Sequence, residues 1–284
     1  MERLGELSGT ERLGELSGMD WWYVRAYPGG AELMDPAARL LVPWLREQAD
    51  REGAARWFFV RYWDMTGHHL RLRLSCPADG VDRMHERLPE LEDLLAALRP
   101  EPVERLVPGD FPGPLPARRA AAACLYAPEL GKYGGAAGVA LAEELFTTSC
   151  AWYADARLTD LDRTGERAAL AVAYMRGLAN TLPEPERKGF WAAHRAHWGW
   201  QLRLAVPGQD RLRALLVKTA SALPACPSDV AAQVEAVRAV LDGAAAASVP
   251  VPRAELLLQY MHMDLNRLGF VPAEECLLGL IACQ

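Results

Sequence analysis

Long apolar runs are missing from this 284-residue chain: none reaches the roughly 18 residues that a membrane-crossing helix needs. Its beginning also lacks the basic-then-apolar pattern of a secretion signal. Basic charge is in deficit: 31 Lys and Arg stand against 37 Asp and Glu, a formal net charge of −6. That balance argues against non-specific nucleic-acid binding. The six cysteines (Cys76, Cys124, Cys150, Cys226, Cys276 and Cys283) are scattered and form no C-x-x-C pair. A disulfide scaffold or zinc ribbon is thereby disfavoured, and reduced, mostly buried thiols are expected. The six histidines form no H-E-x-x-H, and no G-x-G-x-x-G or Walker loop occurs. His194 and His197 lie three apart on an expected helix, but no further ligand stands at a recognisable spacing. The expectation is a soluble cytoplasmic protein with no cofactor and no metal, binding neither nucleic acid nor membrane.

What is present is a globular composition, 51% hydrophobic and 24% charged. It suffices for one large core, or for a compact domain with a second lobe packed on it. The chain opens with an exact repeat, ERLGELSG at Glu2–Gly9 and again at Glu11–Gly18. The repeat is too short for a solenoid. It reads as an expression-derived scar or as an appended recognition peptide, and residues 1–18 are set apart from the fold.

From Met19 onward, period and punctuation assign elements. WWYVRAY (Trp21–Tyr27) is short, aromatic and β-branched, and Pro28-Gly29-Gly30 ends it, so a strand is expected. Asp35 as N-cap and Pro36 at the first helical position open a helix to about Glu52, stopped by Gly53. RWFFVRYWD (Arg56–Asp64) and the strictly alternating HLRLRLS (His69–Ser75) are strands, with Met65-Thr66-Gly67 linking them as a hairpin. A second helix is expected over Val81–Leu98. A fourth strand, Ala122–Tyr126, follows the proline-broken stretch Pro100–Pro116. The fold class is α+β. A ferredoxin-like β-α-β-β-α-β sheet region occupies 19–134, and a mostly helical region occupies 135–284. The expected later helices are Ala136–Leu158, Glu166–Thr181, Glu184–Leu204, Asp210–Ala222, Asp229–Asp242, Arg253–Asn266 and Ala273–Ile281.

Candidate chemistry gathers in three stretches. Arg71 and Arg73 alternate with leucines and therefore share a strand face. That face meets either solvent or an anionic substrate. Glu129 and Tyr133 flank a turn ending in Gly134-Gly135 at a junction into a long helix, where binding groups often sit. Ser149 lies further along that helix, either facing the same cleft or serving as an ordinary helix serine. Tyr260, His262, Asn266 and Arg267 form the densest polar cluster in the chain. His262 and Asn266 share a helical face and can either handle a carbonyl and protons or bond within the core.

Taken in order, R-W-F-F-V-R-Y-W-D with H-L-R-L-R-L, E-L-G-K-Y-G-G (Glu129–Gly135) with A-E-E-L-F-x-x-S (Ala142–Ser149), and H-M-D-L-N-R-L-G (His262–Gly269) resemble the thiopeptide-type bacteriocin biosynthesis domain. The resemblance runs from Met19 to the C-terminus. That family contains the glutamate-elimination domain of class I lanthipeptide dehydratases and the stand-alone thiopeptide pyridine synthases. It implies a tailoring enzyme for ribosomally made peptides, acting on a precursor with a leader sequence beside other enzymes of its pathway. It also places the Arg71 and Arg73 pair in a substrate pocket.

The two family chemistries need different groups. Elimination requires cations for glutamyl carboxylates and a base for the α-proton. A formal [4+2] cycloaddition of two dehydroalanines requires acids, bases and hydrogen bonds around two amides, with proximity supplying much of the rate. Lys132 stands where elimination domains typically carry arginine, and lysine lacks the bidentate fork for a carboxylate. Tyr260, two residues before His262, is associated with the pyridine-forming branch. The resemblance therefore implies a pyridine synthase. Tyr260, His262 and Glu129 are its expected catalytic residues, and Arg71, Arg73, Tyr133, Ser149, Asn266 and Arg267 its expected substrate-binding residues. A glutamate-eliminating subunit and a non-catalytic leader-binding subunit are the alternatives.

Overall fold

Alternation along His69–Ser75 places Leu70, Leu72 and Leu74 on one side of a strand, where all three are fully buried. The computed structural model describes residues 18–107 and 118–284. The ERLGELSG repeat, except Gly18, and positions 108–117 of the proline-broken stretch lie outside the described residues. The strands are β1 (Met19–Tyr27), β2 (Arg56–Asp64), β3 (Gly67–Pro77) and β4 (Ala120–Ala123). They form one sheet in the order β2-β3-β1-β4, with every neighbouring pair antiparallel.

One face of the sheet carries Trp22, Val24 and Ala26 beside the β3 leucines and Cys76, all fully buried. Helices α1 (Met34–Arg51), α2 (Ala78–Glu86) and α3 (Leu88–Ala97) pack against it. Three expectations are corrected here. Asp35 does not cap α1: the helix already begins at Met34, after a 3-10 turn, and Leu33 occupies the cap position without a side-chain bond. The Asp35 carboxylate instead joins Arg61 (2.6 Å) and Arg167 (2.9 Å). The helix expected over Val81–Leu98 is two helices, because Pro89 offers no N–H to continue the first and suits the opening turn of the second. Strand β4 ends at Ala123 rather than reaching Tyr126. The Tyr126 hydroxyl donates to Glu143 (2.6 Å) and its ring meets Trp21, drawing the chain off the edge of β1.

The remainder is helical: α4 (Leu130–Tyr133), α5 (Ala136–Asp155), α6 (Glu166–Asn180), α7 (Glu184–Ala205), α8 (Gln209–Ala222), α9 (Ala231–Ala246), α10 (Arg253–Arg267) and α11 (Pro272–Ala282). The architecture is thus mixed, an N-terminal antiparallel sheet followed by helices. No helix among the described residues is long and apolar enough to cross a membrane.

Strand β2 lies at the edge of the sheet, and its outward backbone groups are met by side chains from α5 and α10. The N–H groups of Trp57, Phe59 and Arg61 donate to Thr147 Oγ1, Cys150 Sγ and Asn266 Oδ1. In return, Arg267 Nε donates to the Phe59 carbonyl and Asn266 Nδ2 to the Arg61 carbonyl. An edge that would otherwise template aggregation is thereby closed, and the helical half is registered on the sheet.

Asp35 supplies the charge that two buried arginines need. Burial pushes its carboxyl up, but Arg61 and Arg167 outweigh that and hold it below the usual carboxylate range. Asp35→Asn is expected to cost about 3–5 kcal/mol at neutral pH, because both guanidiniums lose their partner. A carboxyl with a depressed folded pKa stabilises fully above its unfolded pKa of about 4 and loses that contribution as pH falls toward the folded value. Urea unfolding of both forms should therefore show a gap that narrows between about pH 4 and pH 2.

Candidate active site

The second face of the sheet is polar and aromatic. Arg71 and Arg73 both emerge on it, opposite Arg25 and Tyr23 of β1. Arg25 pairs with Asp64 at 3.3 Å, and Arg71 lies 3.5 Å over the Tyr62 ring. Arg73 differs: its guanidinium sits 4.8 Å from the Tyr23 ring centre, 5.2 Å from Phe58 and 5.0 Å from Tyr126. Among the described residues it has no ion pair or hydrogen bond, and its Nε is buried without a partner. Burial lowers its pKa. Aromatic faces stabilise such a cation only in part, so an acceptor is wanting.

Arg73 borders a cavity of about 30 Å³ together with Tyr126, Glu129, Tyr133, Glu143 and Met263, enough for a water or two. A more open groove of about 280 Å³ shares Tyr126, Val139 and Glu143 with it. Buried Glu143 is held by Arg56 (2.6 Å) and the Tyr126 hydroxyl. Tyr133 enters from the single turn of α4. Gly134 follows it at φ 76°, a left-handed conformation that ends the turn. Gly138 lets the next helix start close by, since a Cβ there would stand 1.7 Å from the Tyr133 carbonyl oxygen. The Tyr133 ring stacks on Tyr260, with centres 6.0 Å apart and planes at 8°. Both hydroxyls are buried without a partner. Burial, with Glu129 adding its charge, raises the Tyr133 pKa, and burial alone takes Tyr260 up to about 12. Both phenols are therefore protonated at neutral pH. Glu129 is exposed at the start of α4, 3.4 Å from Lys132.

Tyr260 and His262 leave α10 roughly 200° apart, as positions two apart on a helix must. Tyr260 turns to Tyr133. His262 lies against Trp198 of α7, ring centres 4.5 Å apart, and its Nδ1 is 2.7 Å from Glu275 Oε2 of α11. Asn266, one turn further on, bonds β2, whereas His262 meets α7 and α11. His262 keeps about a fifth of its side chain exposed. Glu275 is fully buried; burial pushes its carboxyl up, but His262 and then His194 outweigh this and bring it down to about 2. His194 Nε2 is 3.6 Å from Glu275 Oε1, an ion-pair distance rather than a hydrogen bond. His197 is exposed and turns its ring edge to Trp198.

Three other residues selected from sequence sit inside the scaffold. Ser149 Oγ accepts from Gln233 Nε2 at 2.7 Å in a buried network with Asp264 and the Tyr174 hydroxyl. Asn266 is committed to the backbone of Arg61. Arg267 is held by Asp264 (2.7 Å) and the Phe59 carbonyl, over the Phe146 ring. The structure thus gathers Arg73, Glu129 and Tyr133 at one cavity with Tyr260 behind, sets Arg71 on the same sheet face, and gives Ser149, Asn266 and Arg267 buried partners.

Tyr126, Glu143, Trp198 and Glu275 were not singled out by sequence. The one signal for Glu275 was a pair of acids, Glu274 and Glu275, opening the apolar run of α11. Charges on so apolar a helix are buried and need partners. Glu143 stood inside the quoted motif Ala142–Ser149, but its bond to Tyr126 joins positions 17 apart and had no local mark.

An antiparallel sheet whose polar face is roofed by helices, holding an unpaired guanidinium and two unpaired phenols, defines an α+β protein with a built polar site. The family model described as lantibiotic biosynthesis dehydratase C-term matches residues 21–283, and the chain belongs to that family. Among solved structures it is similar to the tRNA-dependent lantibiotic dehydratase MibB from Microbispora sp. 107891. There the identity is 21% over 99% of this chain and 28% of that one, with a TM-score of 0.56. It is also similar to TbtD, a pyridine synthase from thiomuracin biosynthesis, at 18% identity over 92% of this chain and 96% of that one, with a TM-score of 0.53. At these identities the likeness is one of fold, and the chain spans little more than a quarter of MibB. No curated protein matches the sequence.

A cation without an acceptor weighs on stability, whereas a bonded one holds the structure together. Arg73→Met is expected to leave stability within about 1 kcal/mol of the parent or to raise it, while Arg267→Met should lose about 3–5 kcal/mol. Chemical denaturation of the two variants checks the contrast.

Proposed function

We propose that this chain is a cofactor-independent pyridine synthase acting on a leader-bearing precursor peptide. It joins two dehydroalanines by formal [4+2] cycloaddition, and dehydration and leader elimination then complete the ring. The observation that carries this reading is the polar content of the cavity. It offers the buried, protonated Tyr133 beside one unpaired guanidinium, Arg73, with protonated Tyr260 stacked behind Tyr133. Lys132 is tied to Glu129, Arg25 to Asp64, and Arg71 rests on Tyr62. Neutral donors around one cation suit peptide carbonyls during amide tautomerisation better than a pair of glutamyl carboxylates.

In this reading Arg73 and Tyr133 hold a peptide carbonyl, and Arg71 extends the contact along the sheet face. Glu129, at the mouth, orients or deprotonates an amide. Tyr260 supports Tyr133 through the stacked rings and its hydroxyl shares in proton transfer at the cavity, while His262 moves protons on the other side of α10, where it meets Glu275. Ser149, Asn266 and Arg267 serve the site by fixing α5 and α10 rather than by direct contact. The sheet region, in a ferredoxin-like arrangement, docks the leader by strand addition.

A second reading, elimination of glutamate from glutamylated Ser or Thr, draws on the two arginines of one sheet face and on His262 backed by an anionic carboxylate. That set resembles an α-proton base with a carboxylate receptor. A leader-binding adaptor is the third.

Mass spectrometry of the protein with a leader peptide bearing two dehydroalanines tests the proposal. A pyridine-bearing product with released leader supports it. Glutamate loss from a glutamylated precursor instead establishes the second reading, and leader affinity without either product the third. Tyr133→Phe and Tyr260→Phe should keep stability within about 1 kcal/mol, since their hydroxyls have no partner to lose. Turnover should fall roughly 10²-fold or more. Full turnover in both would remove the phenols from the mechanism.

A further inference from the structure

A fully buried carboxylate, Glu275, lies between two imidazoles at the junction of α7, α10 and α11. Only one of the two imidazoles reaches solvent. His194 is fully buried, and neither of its ring nitrogens has a hydrogen bond. His262 is partly exposed, and its ring contacts are asymmetric. Nδ1 meets Glu275 at 2.7 Å, whereas Nε2 has no protein partner among the described residues and is not enclosed. Trp198 covers one face of the ring, so rotation about the side-chain bonds is restricted.

A carboxylate can only accept here, so the Nδ1 it meets must be the donor. That leaves Nε2 as the lone-pair nitrogen, the arrangement needed in a general base. We infer that Glu275 is a positioning residue for His262, fixing its Nδ1–H tautomer and aiming Nε2 outward, with His194 as the buried flank of the same carboxylate. The ionised state of Glu275 agrees with this, because its carboxyl stays charged well below neutral pH. The inference rests on the reading that His262 moves protons for the substrate, and it holds for cycloaddition and for elimination alike.

Nitrogen-15 NMR of the histidine side chains in the intact wild-type chain, with His262→Gln assigning the signal, tests the tautomer without any substrate. The expected spectrum shows neutral His262 protonated on Nδ1. Protonation on Nε2 instead overturns the inference, whatever the variants do. Kinetics on the substrate that the protein turns over then compare Glu275→Gln, Glu275→Asp and His262→Gln. In Glu275→Gln, kcat should fall about 100-fold with KM within about twofold, and the aspartate variant should recover part of the loss. If His262→Gln is inactive while folded Glu275→Gln keeps full kcat, the positioning role falls and the reading of His262 stands. If His262→Gln keeps full activity, it is the reading of His262 that falls, and the inference with it. Should Glu275→Gln fail to fold, the wild-type tautomer remains decisive.

Discussion

Everything in the site depends on how α10 is docked on the open edge of β2. A lone edge strand leaves alternate N–H and C=O groups unmet. Here Thr147, Cys150, Asn266 and Arg267 meet them with side chains, two from α5 and two from α10. Side-chain bonds to backbone are directional and hold a helix in register more firmly than apolar packing alone. With α10 so registered, Tyr260 reaches Tyr133, Met263 reaches the cavity beside Arg73, and His262 reaches Glu275. The motif His262–Gly269 thus includes residues, Asn266 and Arg267, whose work is to set this register.

Charge is distributed by the same logic. Arginines that hold the structure together are paired or bonded to carbonyls: Arg61 and Arg167 with Asp35, Arg163 with Glu274, Arg267 with Asp264. Arg73 is half-buried, with its Nε enclosed, and is surrounded by rings rather than acceptors. Among the described residues it stands beside other unmet groups, the Tyr133 and Tyr260 hydroxyls. Native interiors rarely leave such groups unmet, and under the proposed function these are groups that a substrate would meet.

Much was legible from period and punctuation. The alternation of His69–Ser75, the aromatic runs of β1 and β2, and the glycine and proline boundaries of the later helices place those elements within a few residues of where they stand. Strand alternation also put Arg71 and Arg73 on one face. Two of the three misplacements share a cause. Asp35 carries every local mark of an N-cap, but two distant arginines compete for its carboxylate more strongly than nearby N–H groups do. Tyr126 has the propensity of a strand residue, yet its bond to Glu143 takes it off the edge.

Local sequence determined the strands, most helices and the shared face of the two arginines, because backbone sterics and hydrophobic period act over a few residues. Tertiary structure alone decided which polar residues are spent on the fold and which stay free. Asn266 and Arg267 stand in the same motif as His262, but the edge of β2 takes the first two, and Glu275 and Trp198 take the third. Such allocation depends on partners far along the chain, 205 residues in the case of Asn266 and Arg61, and no local pattern encodes a partner at that distance.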